Sequence, residues 1–302
     1  MSHTDDNPAD ALAAEFRRCV AAGDIDAASA IQQELWRSDP PFAPRTIDDI
    51  PILPWKRDYA AAEHEQFLFV SGAPRSGTTA LGRLLHTHLL VSLYVELFSF
   101  RFGYVPEMFN RANIIRLNRD GLLKSFDKHR NPDVLSSVTP EHIVGDKRPN
   151  FMTSAALSLR NFAGKAVTIV HIVRPIRQVA MSYLTHVNSG RWHASRDHRL
   201  AVEHLNRNNR NALDLVERVQ PGHRVVVIDY NSFWSAASNA ERLFGEIGLD
   251  AEGVSKEDVA AIFRISERVP DRSDALPTEA SGYIDAHYDF DAEARLRALA
   301  FA

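Results

Sequence analysis

A short segment with the sequence GAPRSGTT combines two glycines, an arginine and three hydroxyl side chains between an apolar run and a helical pattern. Gly72 and Gly77 let the backbone turn tightly, so its amide groups can approach a ligand closely. Successive amides in such a turn, together with the N-terminus of the following helix, attract an anion. Thr78 and Thr79 add hydroxyl donors, and Arg75 adds a positive charge. These residue types in this order predict a loop that binds a phosphate-like group.

The position after the second glycine distinguishes this loop from the P-loop of nucleotide hydrolases. Those enzymes place a lysine there, which contacts the outer phosphates, followed by a serine or threonine that holds magnesium. This chain has Thr78 instead, so the main cation for a triphosphate is missing. Asp229, after the apolar run VVVI, is the nearest candidate for a magnesium-binding acid. The loop therefore favours an anion other than a nucleoside triphosphate, with a P-loop kinase or hydrolase as the alternative.

A second candidate anion site lies in the segment VRPIRQVAMSY, where a helical pattern follows an apolar run. Arg174 offers a planar guanidinium that suits bidentate hydrogen bonding to a phosphate. Ser182 follows eight residues later, about two helical turns on, and therefore lies on nearly the same face of the helix. Either residue alone is typical of an ordinary surface position, but the pair beside a glycine-rich loop predicts a shared role.

The two segments together resemble the donor site of the sulfotransferases that use 3′-phosphoadenosine-5′-phosphosulfate (PAPS), and the resemblance extends over residues 67–249. In that family a loop of the form P-[RK]-S-G-T-T binds the 5′-phosphosulfate, and a run resembling R-D-P-R-D-V-A-V-S binds the 3′-phosphate. Here Pro175, Ile176 and Gln178 depart from that run. The resemblance implies that the 3′-phosphate is bound by Arg174 and Ser182. It also implies that the 5′ end of the donor is bound by Arg75, Ser76, Gly77, Thr78 and Thr79.

Two further residues extend the resemblance to the catalytic groups. Lys147, in GDKRPNF, resembles a strand-end lysine of carbohydrate and tyrosyl-protein sulfotransferases that lies beside the transferred sulfuryl group and the bridging oxygen. Glu96, in LYVELFSF, resembles the glutamate base of several of those enzymes, because an acceptor hydroxyl loses its proton as it attacks. The plainer interpretation of Glu96 is an ion pair with Arg83 or Arg101. The resemblance implies catalytic roles for Glu96, Lys147 and Arg75.

Histidine is the alternative base, since the cytosolic small-molecule sulfotransferases use one. The candidates in this chain are His142, His186 and His193, and none of them lies in a family motif. A nearby aromatic residue, Trp192, is a candidate either for stacking on a base or sugar or for packing within the domain.

Apolar segments that are rich in β-branched residues alternate with helical patterns along most of the chain. This alternation predicts an α/β, P-loop-type three-layer fold with a central parallel sheet flanked by helices. Ligands of such sheets bind beyond the carboxyl ends of the strands, where Arg75, Lys147 and Arg174 all fall. The predicted strands are Phe67–Gly72, Val91–Val95, His142–Asp146, Val167–Val173 and Arg224–Ile228. The predicted helices include Gly77–His88, Phe151–Phe162, Ile176–Val187, His198–Val219 and Ser232–Ile247.

Residues 1–60 differ from the rest of the chain. Two amphipathic patterns around a Gly-Asp break, followed by a proline-rich connector, predict a helical N-terminal extension, and residues 61–302 are predicted to form the P-loop domain. The net charge of −4 argues against bulk binding to nucleic acid. No apolar run approaches the length of a membrane span, and the acidic N-terminus lacks the pattern of a signal peptide. With a single cysteine, Cys19, these features favour a cytoplasmic protein.

The sequence thus favours a PAPS-dependent sulfotransferase that acts on a hydroxyl or amine acceptor, with PAPS as co-substrate and no required metal. The acceptor class stays open among small molecules, glycans, lipids and peptides. The sequence does not predict an oligomeric state. The alternatives are a P-loop kinase or hydrolase and a non-catalytic relative that binds the donor without turnover.

Overall fold

The computed structural model describes residues 62–97, 104–126, 135, 137–219, 221–267 and 271–300, together with isolated positions between residues 15 and 31. Most of the predicted N-terminal extension therefore lies outside the described residues, as does Arg101. Among the described residues, no helix is long and apolar enough to cross a membrane.

A five-stranded sheet with all neighbouring strands parallel forms the centre of the fold, in the order β2-β3-β1-β4-β5. This arrangement confirms the predicted α/β fold class. Because β1 is central, the loop that follows it lies between the carboxyl ends of β3 and β4. The strands are β1 (Gln66–Ser71), β2 (Val91–Val95), β3 (Ile143–Lys147), β4 (Ala166–Val173) and β5 (His223–Asp229).

Helices follow the strands and cover both faces of the sheet. Those before residue 200 are α1 (Thr78–Leu85), α2 (Arg111–Arg119), α3 (Ala155–Asn161), α4 (Ile176–Asn188) and α5 (His198–Arg218). The later ones are α6 (Tyr230–Phe233), α7 (Ser238–Glu246), α8 (Lys256–Glu267), α9 (Thr278–His287) and α10 (Phe290–Ala298). Short 3-10 turns occur at Pro106–Phe109, Phe151–Thr153 and Ser273–Ala275.

Strand alternation divides the core into two layers. Successive side chains of a strand point to opposite faces, so Phe67 and Phe69 pack on one face of β1 while Leu68 and Val70 pack on the other. The first face is covered by α3, α5 and α10, and the second by α1, α7 and α8. Both faces of the central strand are therefore covered by apolar side chains. The β1 loop accordingly leaves the sheet at its carboxyl edge.

The structure differs from the sequence prediction where polar side chains interrupt a helix. The predicted helix Ser232–Ile247 divides into α6 and α7, because the side-chain amide of Asn239 donates to the carbonyls of Ser232 and Phe233 and replaces the continuing helical bonds. The predicted helix Phe151–Phe162 begins as a 3-10 turn, and α3 starts only after Ser154, whose φ of −130° is not helical.

Candidate active site

The loop after β1 has the backbone geometry of a tight anion cradle. Gly77 has a φ of +98° and directly precedes the first turn of α1. Arg75 has a φ of +71°, which a non-glycine residue rarely adopts and which the surrounding contacts must therefore stabilise. The Ser76 hydroxyl donates to the Ala73 carbonyl at 2.6 Å and closes the loop from inside. The loop is therefore held in shape by its own contacts, with its amides at the N-terminus of α1.

The structure brings the two predicted anion-binding segments together. The Nε atom of Arg75 donates to the Oγ atom of Ser182 at 3.1 Å. The Nη1 atom of Arg174 donates to the backbone carbonyl of Arg75 at 3.0 Å. Arg174 lies at the carboxyl end of β4 and Ser182 on the second turn of α4, so the eight-residue spacing places both beside the β1 loop. Three residues chosen from distant parts of the sequence are thus direct neighbours.

These residues open onto a cleft with a volume of about 400 Å³. One wall is the start of α1. Another is one face of α4, whose lining residues recur at helical spacing over two turns. The third wall comes from the end of α8 and the segment after it. The lining residues that bear on the site are Arg75, Gly77, Thr78, Thr79, Arg174, Ser182 and Tyr230. The cleft thus has space for a ligand larger than a single phosphate.

Positive charge is concentrated at the cleft, and the carboxylate of Asp271 acts on Arg174 at longer range, through the intervening amide of Gln178. Among the described residues, no ion pair links an acidic side chain to Arg75 or Arg174. Burial, and then the neighbouring charge of Arg174, lower the pKa of Arg75. Burial also lowers the pKa of Arg174, whose guanidinium carbon lies 4.2 Å from the centre of the Tyr230 ring. Two partly desolvated cations side by side favour binding of an anion that satisfies both.

Arg174 is held in place by a buried glutamine. Its Nε atom donates to Oε1 of Gln178 at 3.0 Å. The amide nitrogen of Gln178 donates in turn to Asp271 at 2.8 Å and to Asn231 at 3.3 Å. The arginine is therefore oriented before any ligand arrives, which reduces the ordering cost of binding.

The two proposed catalytic residues form a close pair at the end of β3. The Nζ atom of Lys147 lies 2.5 Å from Oε1 of Glu96, with the lysine side chain 3% exposed and the glutamate side chain 41% exposed. The backbone amide of Glu96 also donates to the carbonyl of Lys147 at 3.0 Å. Lys147 is the register partner of Val70, two residues before the loop begins at Gly72. Neither residue lines the cleft around Arg174, so the pair stands on the other side of the β1 loop.

Of the plainer interpretations of Glu96, an ion pair with Arg83 does not occur among the described residues, and Arg101 lies outside them. Glu96 has a φ of +51°, a conformation that its paired backbone and side chain keep in place. Beneath it, Asp146 accepts hydrogen bonds from the Leu97 amide at 3.1 Å and from the Tyr104 hydroxyl at 2.7 Å. Burial raises the pKa of Asp146 to about 6. Asp146 therefore positions the segment that carries Glu96.

The three candidate histidines lie in different places. His186 lines the cleft on α4, and its Nδ1 atom lies 2.9 Å from the Ser182 carbonyl. His142 contacts Thr139, and His193 contacts Ser195. Of the three, His186 alone lines the cleft, on the wall beside Ser182.

Trp192 packs within the domain. Its ring lies edge-on to Tyr183 with centroids 4.9 Å apart, and 5.0 Å from the ring of His186. It does not line the cleft. Of the two interpretations of Trp192, these contacts favour packing.

The chain matches solved sulfotransferase structures over most of its length. A sulfotransferase from Alicyclobacillus acidocaldarius is 18% identical with a TM-score of 0.46, over 78% of this chain and 95% of that one. A sulfotransferase domain from the curacin biosynthetic pathway is 15% identical with a TM-score of 0.45, over 78% and 92%.

A mouse sulfotransferase, SULT7A1, whose structure is complexed with PAP, is 12% identical with a TM-score of 0.43, over 78% of this chain and 88% of that one. At these identities the likeness concerns the fold and assigns no role to any residue of this chain. No protein-family model and no curated protein matches the sequence.

Two cleft residues were missed by the sequence analysis. No role was predicted for Tyr230, yet its ring packs over Arg174 and against the loop. A Cβ atom at Gly77 would lie 2.7 Å from that ring. Gln178 appeared only as a departure from the family run. Its position in the first turn of α4, four residues after Arg174, was the available signal.

Asp229, the candidate magnesium ligand, has other partners. Its Oδ1 atom accepts a hydrogen bond from the Ser232 amide at 2.9 Å, which caps α6. Its Oδ2 atom lies 2.6 Å from Nε of Arg297. Among the described residues, no group of three or more histidine, cysteine or acidic side chains is arranged to hold a metal ion.

Proposed function

We propose that this protein is a sulfotransferase that moves the sulfuryl group of PAPS to a hydroxyl or amine acceptor. The observation that carries the proposal is the meeting of Arg75, Arg174 and Ser182 at one cleft, where neither cation forms a direct ion pair with a carboxylate among the described residues. A ligand with anionic groups at two separate points would satisfy this arrangement. PAPS carries such groups at its 5′ and 3′ positions.

The donor's 5′ end would be bound by the loop. The amides at the start of α1 and the hydroxyls of Thr78 and Thr79 are placed to donate to a phosphosulfate. Arg75 adds a charge-assisted hydrogen bond. Ser76 supports the loop from within, since its hydroxyl is bonded to the Ala73 carbonyl.

The donor's 3′-phosphate would be bound by Arg174 and Ser182. In Arg174, Nε donates to Gln178 and Nη1 to the Arg75 carbonyl, so the remaining N–H groups of the guanidinium would donate to the phosphate. Ser182 would donate its hydroxyl hydrogen to the phosphate while its oxygen accepts from Arg75. This pair would distinguish PAPS from nucleotides without a 3′-phosphate.

Glu96 and Lys147 would carry the chemistry. The acceptor oxygen forms a bond to sulfur as its proton moves to a carboxylate oxygen of Glu96. The bond between sulfur and the bridging oxygen breaks, and its electron pair stays on the 5′-phosphate of PAP. Lys147 would donate a hydrogen bond to that oxygen as charge develops there, a stabilisation that acts mainly in the transition state. PAPS supplies an activated sulfuryl group, and the protein supplies position and charge.

The nucleotide hydrolase alternative has less support. Thr78 stands where the phosphate-binding lysine of those enzymes is found, and the two carboxylate oxygens of Asp229 contact Ser232 and Arg297. A non-catalytic relative would have the same cleft. Only a measurement of sulfuryl transfer distinguishes it from an enzyme.

The direct test is a transfer assay with PAPS labelled in its sulfate group. The protein is incubated with panels of alcohols, phenols, amines, glycans and lipids, and labelled product is separated from donor. Product that appears with wild-type protein and not with Glu96→Gln supports the proposal. Tight PAP binding with no product from any panel would favour the non-catalytic relative.

We further propose that residues 61–302 form the catalytic domain and that residues 1–60 are a helical extension. Limited proteolysis tests this division. A protected fragment that begins near residue 60 and binds PAP as the full chain does would support it, and a fragment that has lost PAP binding would contradict it.

A further inference from the structure

Gln178 lies where two walls of the cleft meet. It occupies the first turn of α4 and is 8% exposed. It is also one of the positions, with Pro175 and Ile176, at which this chain departs from the resembling family run, which has an aspartate there. The hydrogen bonds of Gln178 show what a glutamine does at this position.

Both the oxygen and the nitrogen of the Gln178 side-chain amide form hydrogen bonds. Oε1 accepts from Nε of Arg174 at 3.0 Å, and Nε2 donates to Oδ2 of Asp271 at 2.8 Å. These partners fix the orientation of the amide, since a guanidinium only donates and a carboxylate accepts. A neutral amide can join a cation to an anion in this way without adding charge of its own. A carboxylate at position 178 would partly neutralise Arg174 and would repel Asp271.

The second wall is the segment that follows α8. Asp271 accepts from the Ser273 amide at 2.9 Å, and that bond is the main cause of the lowered pKa of Asp271. Arg272, the next residue, lines the cleft. Through Asp271, Gln178 therefore ties the segment that carries Arg272 to the helix that carries Ser182.

We infer that Gln178 is a positioning residue that sets donor selectivity: it holds Arg174 in its phosphate-binding orientation and couples that orientation to the segment at residues 271–273. The inference rests on the proposed function, because it assigns the 3′-phosphate to Arg174. It predicts that Gln178 acts only through Arg174 and Asp271, and only on ligands with a 3′-phosphate.

The test is a double-mutant cycle read by calorimetry. Gln178→Ala, Arg174→Ala and the double variant are titrated with PAP and with adenosine 5′-phosphosulfate, which lacks the 3′-phosphate. Loss of one hydrogen bond to a charged group is expected to weaken PAP binding by about tenfold in Gln178→Ala. Adenosine 5′-phosphosulfate should change by less than about twofold, and the double variant should bind PAP no more weakly than Arg174→Ala.

Two further variants distinguish the loss of a positioning contact from a loss of folding. Asp271→Ala removes the anchor of Gln178 at an exposed position and should weaken PAP binding in the same direction. Gln178→Glu should weaken PAP binding more than Gln178→Ala does. Gln66→Ala, at an exposed residue at the start of β1, is the matched control and should bind as wild type.

The outcomes separate the two proposals. If wild-type protein binds PAP but Gln178→Ala loses equal affinity for both ligands, or loses PAP affinity in the Arg174→Ala background as well, the positioning role is overturned while the proposed function stands. If wild-type protein does not bind PAP, both are overturned.

Discussion

The side chain of Arg75 donates a hydrogen bond to the side chain of Ser182 at 3.1 Å, across 107 residues of sequence. The bond joins the loop after β1 to the helix after β4. It therefore links the proposed 5′-phosphosulfate site to the proposed 3′-phosphate site. An arginine in a left-handed conformation makes this link, and that conformation costs free energy that the surrounding contacts offset.

Ser182→Ala should weaken PAP binding by roughly tenfold, because one hydrogen bond to a phosphate is lost and Arg75 loses an acceptor. Calorimetric titration with PAP measures the change. Ser189→Ala is the control, since Ser189 lies two turns further along at the end of the same helix, does not line the cleft, and its hydroxyl donates to the His186 carbonyl. A Ser182→Ala variant that binds PAP as tightly as wild type would remove Ser182 from the phosphate site.

Glu96→Gln should lower kcat by about 10²–10⁴-fold, the usual range for loss of a general base. PAP affinity should stay within about threefold of wild type, because Glu96 lies outside the cleft and a glutamine can still accept a hydrogen bond from the buried Lys147. Single-turnover transfer from labelled PAPS gives the rate, and Glu252→Gln at an exposed turn is the control. Unchanged turnover in Glu96→Gln would contradict the role of Glu96 as the base and would favour His186, which lines the cleft.

Gly77→Ala should damage both stability and donor binding. Gly77 has a φ of +98°, and a Cβ atom there would meet the Tyr230 ring at 2.7 Å. Gly164→Ala is the matched control, because Gly164 has a φ of +80° with no atom within 4 Å of its Cβ position. Both variants should lose about 1–2 kcal/mol for the left-handed backbone.

The two glycine variants should differ beyond that shared cost. Gly77→Ala alone should lose further stability and most of its PAP affinity, as measured by urea unfolding and calorimetry. Equal unfolding free energies for the two variants would show that the Tyr230 contact is of no consequence.

Stability should fall as the pH is lowered, in part because of His171. This residue is fully buried in β4, neither ring nitrogen has a hydrogen-bond partner among the described residues, and burial lowers its pKa to about 4. The unfolded chain binds the proton near pH 6.5 and the folded chain only near pH 4, so stability is lost between those values. The loss is on the order of 3 kcal/mol.

His171→Leu should remove this part of the pH dependence. Urea unfolding at pH 7.5 and pH 5 measures it, and the variant should lose less stability on acidification than wild type. Asp146 acts in the opposite direction, because its raised pKa of about 6 makes protonation favour the folded state between pH 6 and pH 4. That contribution is present in both proteins and cancels in the comparison. Parallel pH profiles would show that His171 does not titrate between the two states as described.

The sequence predicted what depends on local pattern. Each of the five strands was found within one or two residues of its bounds, because apolar, β-branched runs between helical patterns leave few alternatives. The predicted helices Ile176–Val187 and His198–Val219 likewise lie within one residue of the bounds of α4 and α5.

The sequence could not show contacts that depend on packing between distant segments. The partner of Gln178, Asp271, is 93 residues away, and no local signal joins them. Tyr230 reaches the cleft because Asp229 caps α6 and turns the chain. The roles assigned to Arg75, Arg174, Ser182 and the Lys147–Glu96 pair remain predictions, although the structure brings the first three together.

The most direct test of the central claim is calorimetric titration of the wild-type protein with PAP, and with ATP in the presence of magnesium. The account predicts that PAP binds without magnesium, that ATP binds far more weakly, and that Arg174→Ala loses most of the preference for PAP. Tight, magnesium-dependent binding of ATP with no measurable binding of PAP would contradict it.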